Sequence, residues 1–500
     1  MPELTPAPAG ASTAPAPADP TTERLSFLEK FGFGAGDLAS NLLFQTFNMF
    51  LLFFYTDVVG LGTVAIFWIF AVAKIWDMVN DPIMGAIADR THSRWGRYRP
   101  YILWLAIPYG ISAWLLYTVP HLSPTAKIFY CAGTYILATM IYTGINIPYC
   151  ALMGVITPNI QERTLVSQYR FFMAFAGQWL ISTFTLPLVR LFGHQPDSPT
   201  YHADLGYDPV HGYPTAMIVF GVLATALFFL TFFTTKERVM PVAAEKSRFR
   251  DDWRDLMHNG PWWVLFISAV LNLGNVAVRN GAMLYYLQYC VADSGRSLFT
   301  LNFGFFDLDV TRTVLYMSAG TLVQVLGVLP TTWLTKRYDK RTLYVWFMLA
   351  QGVSFAAIYF VPAGNFNASL ALQLLGMFFA GPGPVIVFSM YADVADYSEW
   401  KNNRRATGLI VATILFAIKG GIWLGSQLST LVLWLIGYTR ETATDPGVVH
   451  GLNVLFTWIP GALAAAAGLI LLKYPIRDTL MKQIEHELLA RKQAGAAAVR

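Results

Sequence analysis

The chain has 500 residues, 55% of them hydrophobic and only 13% charged, with a mean hydropathy of +0.46. A soluble globular chain carries about 25% charged residues, so this composition excludes one and calls for a polytopic membrane protein. The excess of Lys and Arg gives a net charge of +5, but the basic residues cluster between apolar spans, where the positive-inside rule accounts for them, and nucleic acid is not an expected partner.

Met1 to Thr22 is rich in Ala, Pro and Thr, has no positive charge before Arg24, and lacks the charged and apolar regions of a signal peptide. Residues 1–30 are therefore expected to be a disordered tail. A first helix from about Phe33 to Tyr55 carries Asp37 and Asn41, four apart on one face and so turned inward together. After Gly60 and Gly62 a second helix, from about Val64 to Ala88, contains the most informative stretch of the chain, Lys74-Ile75-Trp76-Asp77-Met78-Val79-Asn80-Asp81-Pro82-Ile83-Met84-Gly85. At about 100° per residue Lys74, Asp77, Asn80 and Asp81 fall within an arc of roughly 120°, while Ile75, Val79 and Ile83 face elsewhere. Ionisable residues inside a bilayer are costly and ordinarily line a cavity or an ion path. Asp77 and Asp81 stand about 6 Å apart along the axis, so their oxygens can converge on one small cation. Pro82 leaves the Met78 carbonyl without its helical donor, free as a further ligand or for water. The alternatives are a Lys74–Asp77 ion pair with a proline kink and no ion, or a proton carried on one carboxylate.

Asp89 to Pro100 holds four arginines and reads as a cytoplasmic loop. Third and fourth helices follow over about Tyr101 to Val119 and Ile128 to Ile156. Thr143 and Asn146 either share the inner face with the acids or make interhelical hydrogen bonds worth about 1 kcal/mol. A fifth helix, from about Arg170 to Leu191, leaves the Arg170 guanidinium either snorkelling to the cytoplasmic interface or pointing into the bundle. His194 to Gly212 is a polar outer loop whose histidines have no metal-ligand spacing. A sixth helix, about Tyr213 to Phe233, completes a first half over residues 31–234. The linker, 235–260, with six Lys or Arg between Lys236 and Asn259, is the boundary between halves.

The second half, 261–472, is expected to hold helices over about Pro261 to Cys290, Val314 to Leu334, Leu343 to Val361, Leu370 to Val394, Thr407 to Leu435 and Leu452 to Leu472. Arg279 lies toward the outer part of the first of these, Gly381-Pro382-Gly383-Pro384 breaks the fourth as a hinge, and Lys419-Gly420-Gly421 sits in the middle of the fifth. A basic, helix-prone tail, 473–500, follows. The three cysteines, Cys131, Cys150 and Cys290, lie at unrelated spacings and read as packing residues. Twelve spans with both ends inside put 27 of the 35 Lys and Arg in inner segments and only Lys127, Arg296 and Arg440 in outer loops. Lys74, Arg190, Arg279, Arg312 and Lys419 stand in or at the edges of spans. The expected fold is an all-α membrane protein of twelve transmembrane helices in two six-helix halves with cytoplasmic termini. A mid-helix lysine is costly unless it meets a carboxylate, and Asp77 and Asp81 lie at a depth similar to that of Lys419, so the halves are expected to join there.

The runs Tyr55-Thr56-Asp57-Val58-Val59-Gly60, Ile75-Trp76-Asp77, Asn80-Asp81-Pro82-Ile83-Met84-Gly85 and Ser93-Arg94-Trp95-Gly96-Arg97 resemble the glycoside-pentoside-hexuronide:cation symporters, the melibiose permease group of the major facilitator superfamily. Asn146-Ile147-Pro148-Tyr149, Asp396-Tyr397-Ser398-Glu399-Trp400-Lys401 and Lys419-Gly420-Gly421 extend the resemblance, which covers about Phe31 to Leu472. It implies the major facilitator fold in the cell inner (plasma) membrane, the lipid bilayer as surroundings, and a sugar or glycoside carried with Na⁺, Li⁺ or H⁺ by a monomer with no tightly bound cofactor. By position Asp77 and Asp81 match the family's cation-binding acids, and they are the metal ligands if the cation is Na⁺. Asn80 and Thr143 match the polar neighbours of those acids and Lys419 the lysine beside them, with Lys74 as a second coupling group. Arg170 matches an arginine that helps hold sugar, and the sugar-binding acid of the first helix matches either Asp37 or Asn41. Asn146 and Cys150 stand where melibiose permease has an aspartate and an aromatic that hold a galactosyl ring, so a pentoside, uronide or other glycoside is as much expected as a galactoside. Arg279 joins the substrate set from the second half. The rival within transport is a cation-coupled carrier of a non-sugar, amphiphilic solute. An integral-membrane enzyme is disfavoured, because the sequence carries no HExxH or GxSxG motif.

Overall fold

The computed structural model describes residues 24–201, 206–239, 254, 256–291, 296–302, 307–362, 364–402 and 407–498. Most of the expected tail, 1–23, and the linker residues 240–253 and 255 lie outside the described residues. Helix α1 (Phe27–Met49) opens on a capping box in which the Glu29 N–H donates to Ser26 Oγ at 3.2 Å and the Ser26 N–H donates to the Glu29 carboxylate at 3.1 Å. The last four residues of the expected tail are thus already helical. Past Phe50 the chain bends by 49° and continues through Leu51–Phe53 into a π turn, Phe54–Val58.

Then come α2 (Thr63–Arg90), α3 (Arg99–Leu116), α4 (Pro124–Val155), α5 (Ile160–Phe192) and α6 (Pro209–Thr234). The rest of the chain holds α7 (Gly260–Tyr285), running on into a second π turn (Tyr286–Cys290), an antiparallel hairpin of β1 (Ser297–Asn302) and β2 (Asp307–Thr311), α8 (Arg312–Val328) and α9 (Lys340–Ala357). It ends with α10 (Phe366–Ala380), α11 (Pro382–Asn402), α12 (Thr407–Leu435), α13 (Pro446–Phe456), α14 (Trp458–Leu471) and α15 (Asp478–Ala498).

Two boundaries differ from expectation in ways that matter. Helix α5 begins well before Arg170, because the Asn159 side chain accepts the Gln161 and Glu162 N–H groups and so caps the helix there. Gln161-Glu162-Arg163 is its first turn, and Arg170 sits nearly three turns inside the helix instead of at its mouth. The Gly-Pro-Gly-Pro run interrupts helix only at Gly381, whose N–H still reaches the carbonyls of Met377 at 3.2 Å and Phe378 at 3.3 Å. Glycine is needed at 381, since a side chain would run into the Gln324 carbonyl of α8.

Among the described residues eight helices are long and apolar enough to cross a membrane, nine when the bent α1 with its continuation counts as one; α10 with α11, and α13 with α14, each count as a single span. On α2 the residues Trp68, Val72, Ile75, Val79, Ile83 and Ile87 form an exposed apolar stripe, while Lys74 and Asp77 are 7% and 4% exposed. The sequence arc therefore holds: an apolar face turns to lipid and the charges turn inward. Helix α1 packs on α5 and α6, α3 on α4 and α6, and α2 on α4. Likewise α7 packs on α12 and α14, α9 on α14 and α10, and α8 on α10. The seams between these two groups are α2 with α12, α5 with α8, and α1 with α7.

At the end of the bundle opposite the chain termini, Asp57 ties the groups together. Its carboxylate accepts the hydroxyls of Tyr289 at 2.7 Å, Tyr438 at 2.8 Å and Thr56 at 2.5 Å, and the Thr56 and Tyr285 hydroxyls are 2.7 Å apart. Asp57 is 6% exposed. Its removal strands several buried hydroxyls, each worth about 1–3 kcal/mol when left unpaired. Asp57→Ala is expected to lower the melting temperature of the detergent-solubilised protein by several degrees. Tyr438→Phe added to it should cost less than the sum of the two single changes, because the partners are shared; thermal unfolding of the single and double variants checks this.

Candidate functional site

Helix α2 carries Asp77 and Asp81 to the seam with α12, where Lys419 meets both: its Nζ lies 2.9 Å from Asp77 Oδ1 and 2.6 Å from Asp81 Oδ1. From α4 the Thr143 hydroxyl lies 2.9 Å from the same Asp77 oxygen and 3.1 Å from the same Asp81 oxygen. Having one proton, it donates to one of them at a time. Two carboxylate oxygens from adjacent helical turns are thus drawn onto one ammonium and one hydroxyl. The Asp77 ion-pair partner is Lys419, across the seam, and Lys74 lies instead against the Tyr135 hydroxyl. No Lys74–Asp77 ion pair occurs among the described residues.

These groups open onto a common cavity of about 100 Å³, smaller than the usual small-molecule site. Lys74, Asp77, Asp81, Thr143, Asn146, Cys150 and Lys419 all line it, together with Phe44 and Tyr142, whose rings stack at 5.6 Å. Asn80 is half-buried on α2 and does not line this cavity.

Past Cys150 lies a second charged pair. Arg170 points into the bundle: its Nε is 2.6 Å from Asp37 Oδ2, its Nη2 donates to Cys150 Sγ at 3.3 Å, and its guanidinium stands 5.4 Å from the centre of the Tyr149 ring. Asp37 is the acid of the pair. Asn41 belongs to the same array through its side-chain N–H donating to the Asp37 carbonyl at 2.9 Å.

Arg279 is brought to neither cluster. It is 3% exposed, its Nη1 donates to the Phe456 carbonyl at 2.8 Å and its Nη2 to the Gln373 side chain, and it lies against the Phe355 and Phe456 rings. It lines a different cavity, which shares Phe44, Ile418 and Ile422 with the first. The sequence reading missed Tyr135, the Phe44–Tyr142 stack and the Asp57 knot. Of these only Asp57 had a signal, as a carboxylate at the end of an apolar helix.

Thr143→Ala removes one neutral ligand from the acid pair while leaving both charges, a loss of about 1 kcal/mol or roughly fivefold in affinity. If the two carboxylates hold a small cation, titration of the purified protein with Na⁺, Li⁺ and H⁺ should show that weakening.

A family model described as MFS/sugar transport protein matches residues 32–478. The chain is 32% identical to the putative glycoside/cation symporter YagG of Escherichia coli (strain K12), over 95% of this chain and 98% of that one. It is 31% identical to the isoprimeverose transporter of Lactiplantibacillus pentosus, over 92% of this chain and 90% of that one. Among solved structures, a D-xylose-proton symporter superposes with a TM-score of 0.57 over 89% of this chain and 95% of that one; at 13% identity the likeness is one of fold. These matches bear out the resemblance drawn from the motifs, and the chain belongs to the MFS/sugar transport protein family: it is a multi-pass membrane transporter of the major facilitator fold, and not an enzyme.

Proposed function

We propose that this protein carries a sugar or glycoside across the inner (plasma) membrane together with a monovalent cation, by alternating access between two six-helix halves, residues 31–234 and 261–472, joined by the linker 235–260. The observation that carries the reading is the Lys419 ammonium held by both Asp77 and Asp81 across the seam between the halves. An ammonium there occupies the place a small cation would need. Carboxylate and hydroxyl oxygens suit a hard ion such as Na⁺ or Li⁺, and a proton on one carboxylate would neutralise the pair equally.

The acids and Thr143 belong to the first half and Lys419 to the second. A cation arriving between the carboxylates competes with the ammonium, so the same event that fills the ion site loosens a link between the halves. The Asp37–Arg170 pair, which lines neither cavity, reaches the first one through the Arg170 hydrogen bond to Cys150, and it is the charged, hydrogen-bonding group nearest Asn146 and Cys150 that could meet sugar hydroxyls. The names of relatives, a glycoside/cation symporter and an isoprimeverose transporter, favour a sugar over an amphiphile. Adding α3, α8 and α12 to the nine apolar spans gives twelve, and the arginine-rich Asp89 to Pro100 loop favours cytoplasmic termini.

The test is uptake into vesicles of a panel of radiolabelled sugars and lipid-like solutes under imposed Na⁺, Li⁺ or H⁺ gradients. Accumulation of a sugar above its equilibrium level with at least one gradient is expected. Accumulation of amphiphiles alone, or of no sugar under any gradient, overturns the reading.

A further inference from the structure

At the end of the bundle that holds the C-terminal helix, between the first turns of α9 and the junction of α14 with α15, lies a cleft of about 520 Å³, large enough for a small polar ligand. Four charged side chains line it, Asp339, Arg341, Arg477 and Asp478. Two are acidic and two basic, yet among the described residues none pairs with another, and Arg477 makes no side-chain hydrogen bond at all. Asp339 accepts the Thr342 N–H at 3.3 Å and the Asp478 N–H at 3.1 Å, which sets the Asp339 and Asp478 carboxyl groups side by side. Burial and that neighbouring carboxylate push the Asp478 carboxyl above its ordinary value. Lys340 does not relieve them: its ammonium is held by Asp393 at 2.5 Å. Arg341 spends one terminal nitrogen on the Leu472 carbonyl and keeps its other donors open among the described residues.

The cleft therefore offers separated charges of both signs. An anion alone would leave the carboxylates unmet, and a cation alone the arginines. A ligand with a phosphate and an amine a few atoms apart answers both. Guanidinium groups match phosphate oxygens, and a primary ammonium has three N–H donors to share between two carboxylates. A quaternary ammonium has none, and binds instead in cages of several aromatic rings. The cleft has one aromatic side chain, Trp346.

The remaining wall is apolar and opens toward lipid. It is made by Val345, Trp346 and Leu349 of α9 with Leu472. Trp346 is 67% exposed and Leu472 49%, and both stand at the ends of spans, where tryptophan marks the boundary of the bilayer. Further along the same helices, exposed Leu469 on α14 and Val353 on α9 carry the apolar surface on. The two helices cross closely there, since a side chain on Gly352 or Gly461 would run into the carbonyl of the other. A polar cleft continuous with a lipid-facing apolar surface fits an amphiphile, its head in the cleft and its chains along α9 and α14.

We infer that this cleft binds the head group of an amine-bearing phospholipid, phosphatidylethanolamine, with its phosphate on Arg341 and Arg477 and its ammonium between Asp339 and Asp478. The site is separate from the Asp77, Asp81 and Lys419 cluster and does not depend on which solute is carried. A lipid seated there braces α9 against the start of α15, and α15 in turn packs on α11, where Trp400 Nε1 donates to the Glu487 carboxylate at 2.6 Å.

The test is native mass spectrometry of the full chain in detergent, titrated with phosphatidylethanolamine, phosphatidylcholine and phosphatidylglycerol of the same acyl chains. One phosphatidylethanolamine per chain is expected to bind about tenfold tighter than either of the others. Arg477→Gln should weaken phosphatidylethanolamine and phosphatidylglycerol alike, because both carry the phosphate. Asp478→Asn should weaken phosphatidylethanolamine and leave phosphatidylglycerol as tight or tighter, because it removes only an ammonium partner. Both changes are at side chains that are exposed or half-buried, and melting curves confirm that folded protein is compared. Glycerophosphoethanolamine, the head group without chains, should fail to displace the bound lipid, since it leaves Trp346 and Leu472 uncovered. Equal retention of phosphatidylcholine or phosphatidylglycerol, displacement by the chainless head group at concentrations like those of the lipid, or variants that keep the wild-type preference would each overturn the inference.

Discussion

Asp77→Cys and Asp81→Cys are each expected to bring cation-driven accumulation of sugar down to the level of vesicles without the protein, while the chain still inserts at normal abundance. Each carboxylate supplies an oxygen that both Lys419 and Thr143 contact, so each removal takes half the anionic charge from the ion site. Breaking one side of a buried charge cluster costs about 3–5 kcal/mol, which is roughly 10² to 4 × 10³-fold if all of it falls on cation affinity. A cation bound that weakly no longer competes with the ammonium at ordinary concentrations. The loss is one of coupling: the Asp37 and Arg170 edge is untouched, so either variant should still bind sugar and exchange it down a gradient. Transport assays with and without a cation gradient, with abundance checked by immunoblot, separate these. Concentrative uptake at the wild-type rate by both variants contradicts the assignment.

The second large effect is at the buried pair on the other side of Cys150. Arg170→Leu leaves the Asp37 carboxylate buried without its 2.6 Å partner, and Asp37→Leu does the same to the guanidinium; each should cost about 3–5 kcal/mol in stability and abolish measurable sugar binding. Pairing the two changes removes both charges. Replacement of a whole buried pair by apolar groups is often neutral or stabilising, so the double variant is expected to recover the melting temperature of the wild type and still bind no sugar. Stability and recognition part company only if the pair serves the substrate. Arg170→Lys should also fail, since an ammonium cannot reach Asp37 and Cys150 with a planar fork. Melting curves beside sugar-binding titrations decide it, and recovery of sugar binding by the double variant would count against the site.

Most of the cluster of Asp77, Asp81 and Lys419 was legible in the sequence, because one helix carries both acids at a spacing that fixes their common face, and because a lysine in mid-span is too costly to stand alone. What the spacing could not show is which lysine the acids hold. Lys74 is three residues from Asp77 and Lys419 more than three hundred away, and packing of α2 on α12 decides for the distant one. Arg170 was left open between interface and interior because the capping Asn159 lies outside the apolar run, so the start of α5 was read too late. The hairpin from Ser297 to Thr311 was not anticipated at all. The cavity lined by Gln45, Asn275, Gln324 and Gln351 was invisible for a plainer reason: its seven carboxamides are spread over five helices, and no period along the chain relates those four.

The most direct measurement of ion and sugar coupling is a pair of equilibrium titrations on the purified protein: sugar affinity at zero and saturating cation, and cation affinity at zero and saturating sugar. If both ligands act on the seam that Lys419 closes, each raises the affinity of the other, by the same factor in the two directions, expected to be 5-fold or more in the wild type and to vanish in Asp81→Cys. Sugar and cation affinities that ignore one another in the wild type, or a factor that survives unchanged without the Asp81 carboxylate, would contradict it.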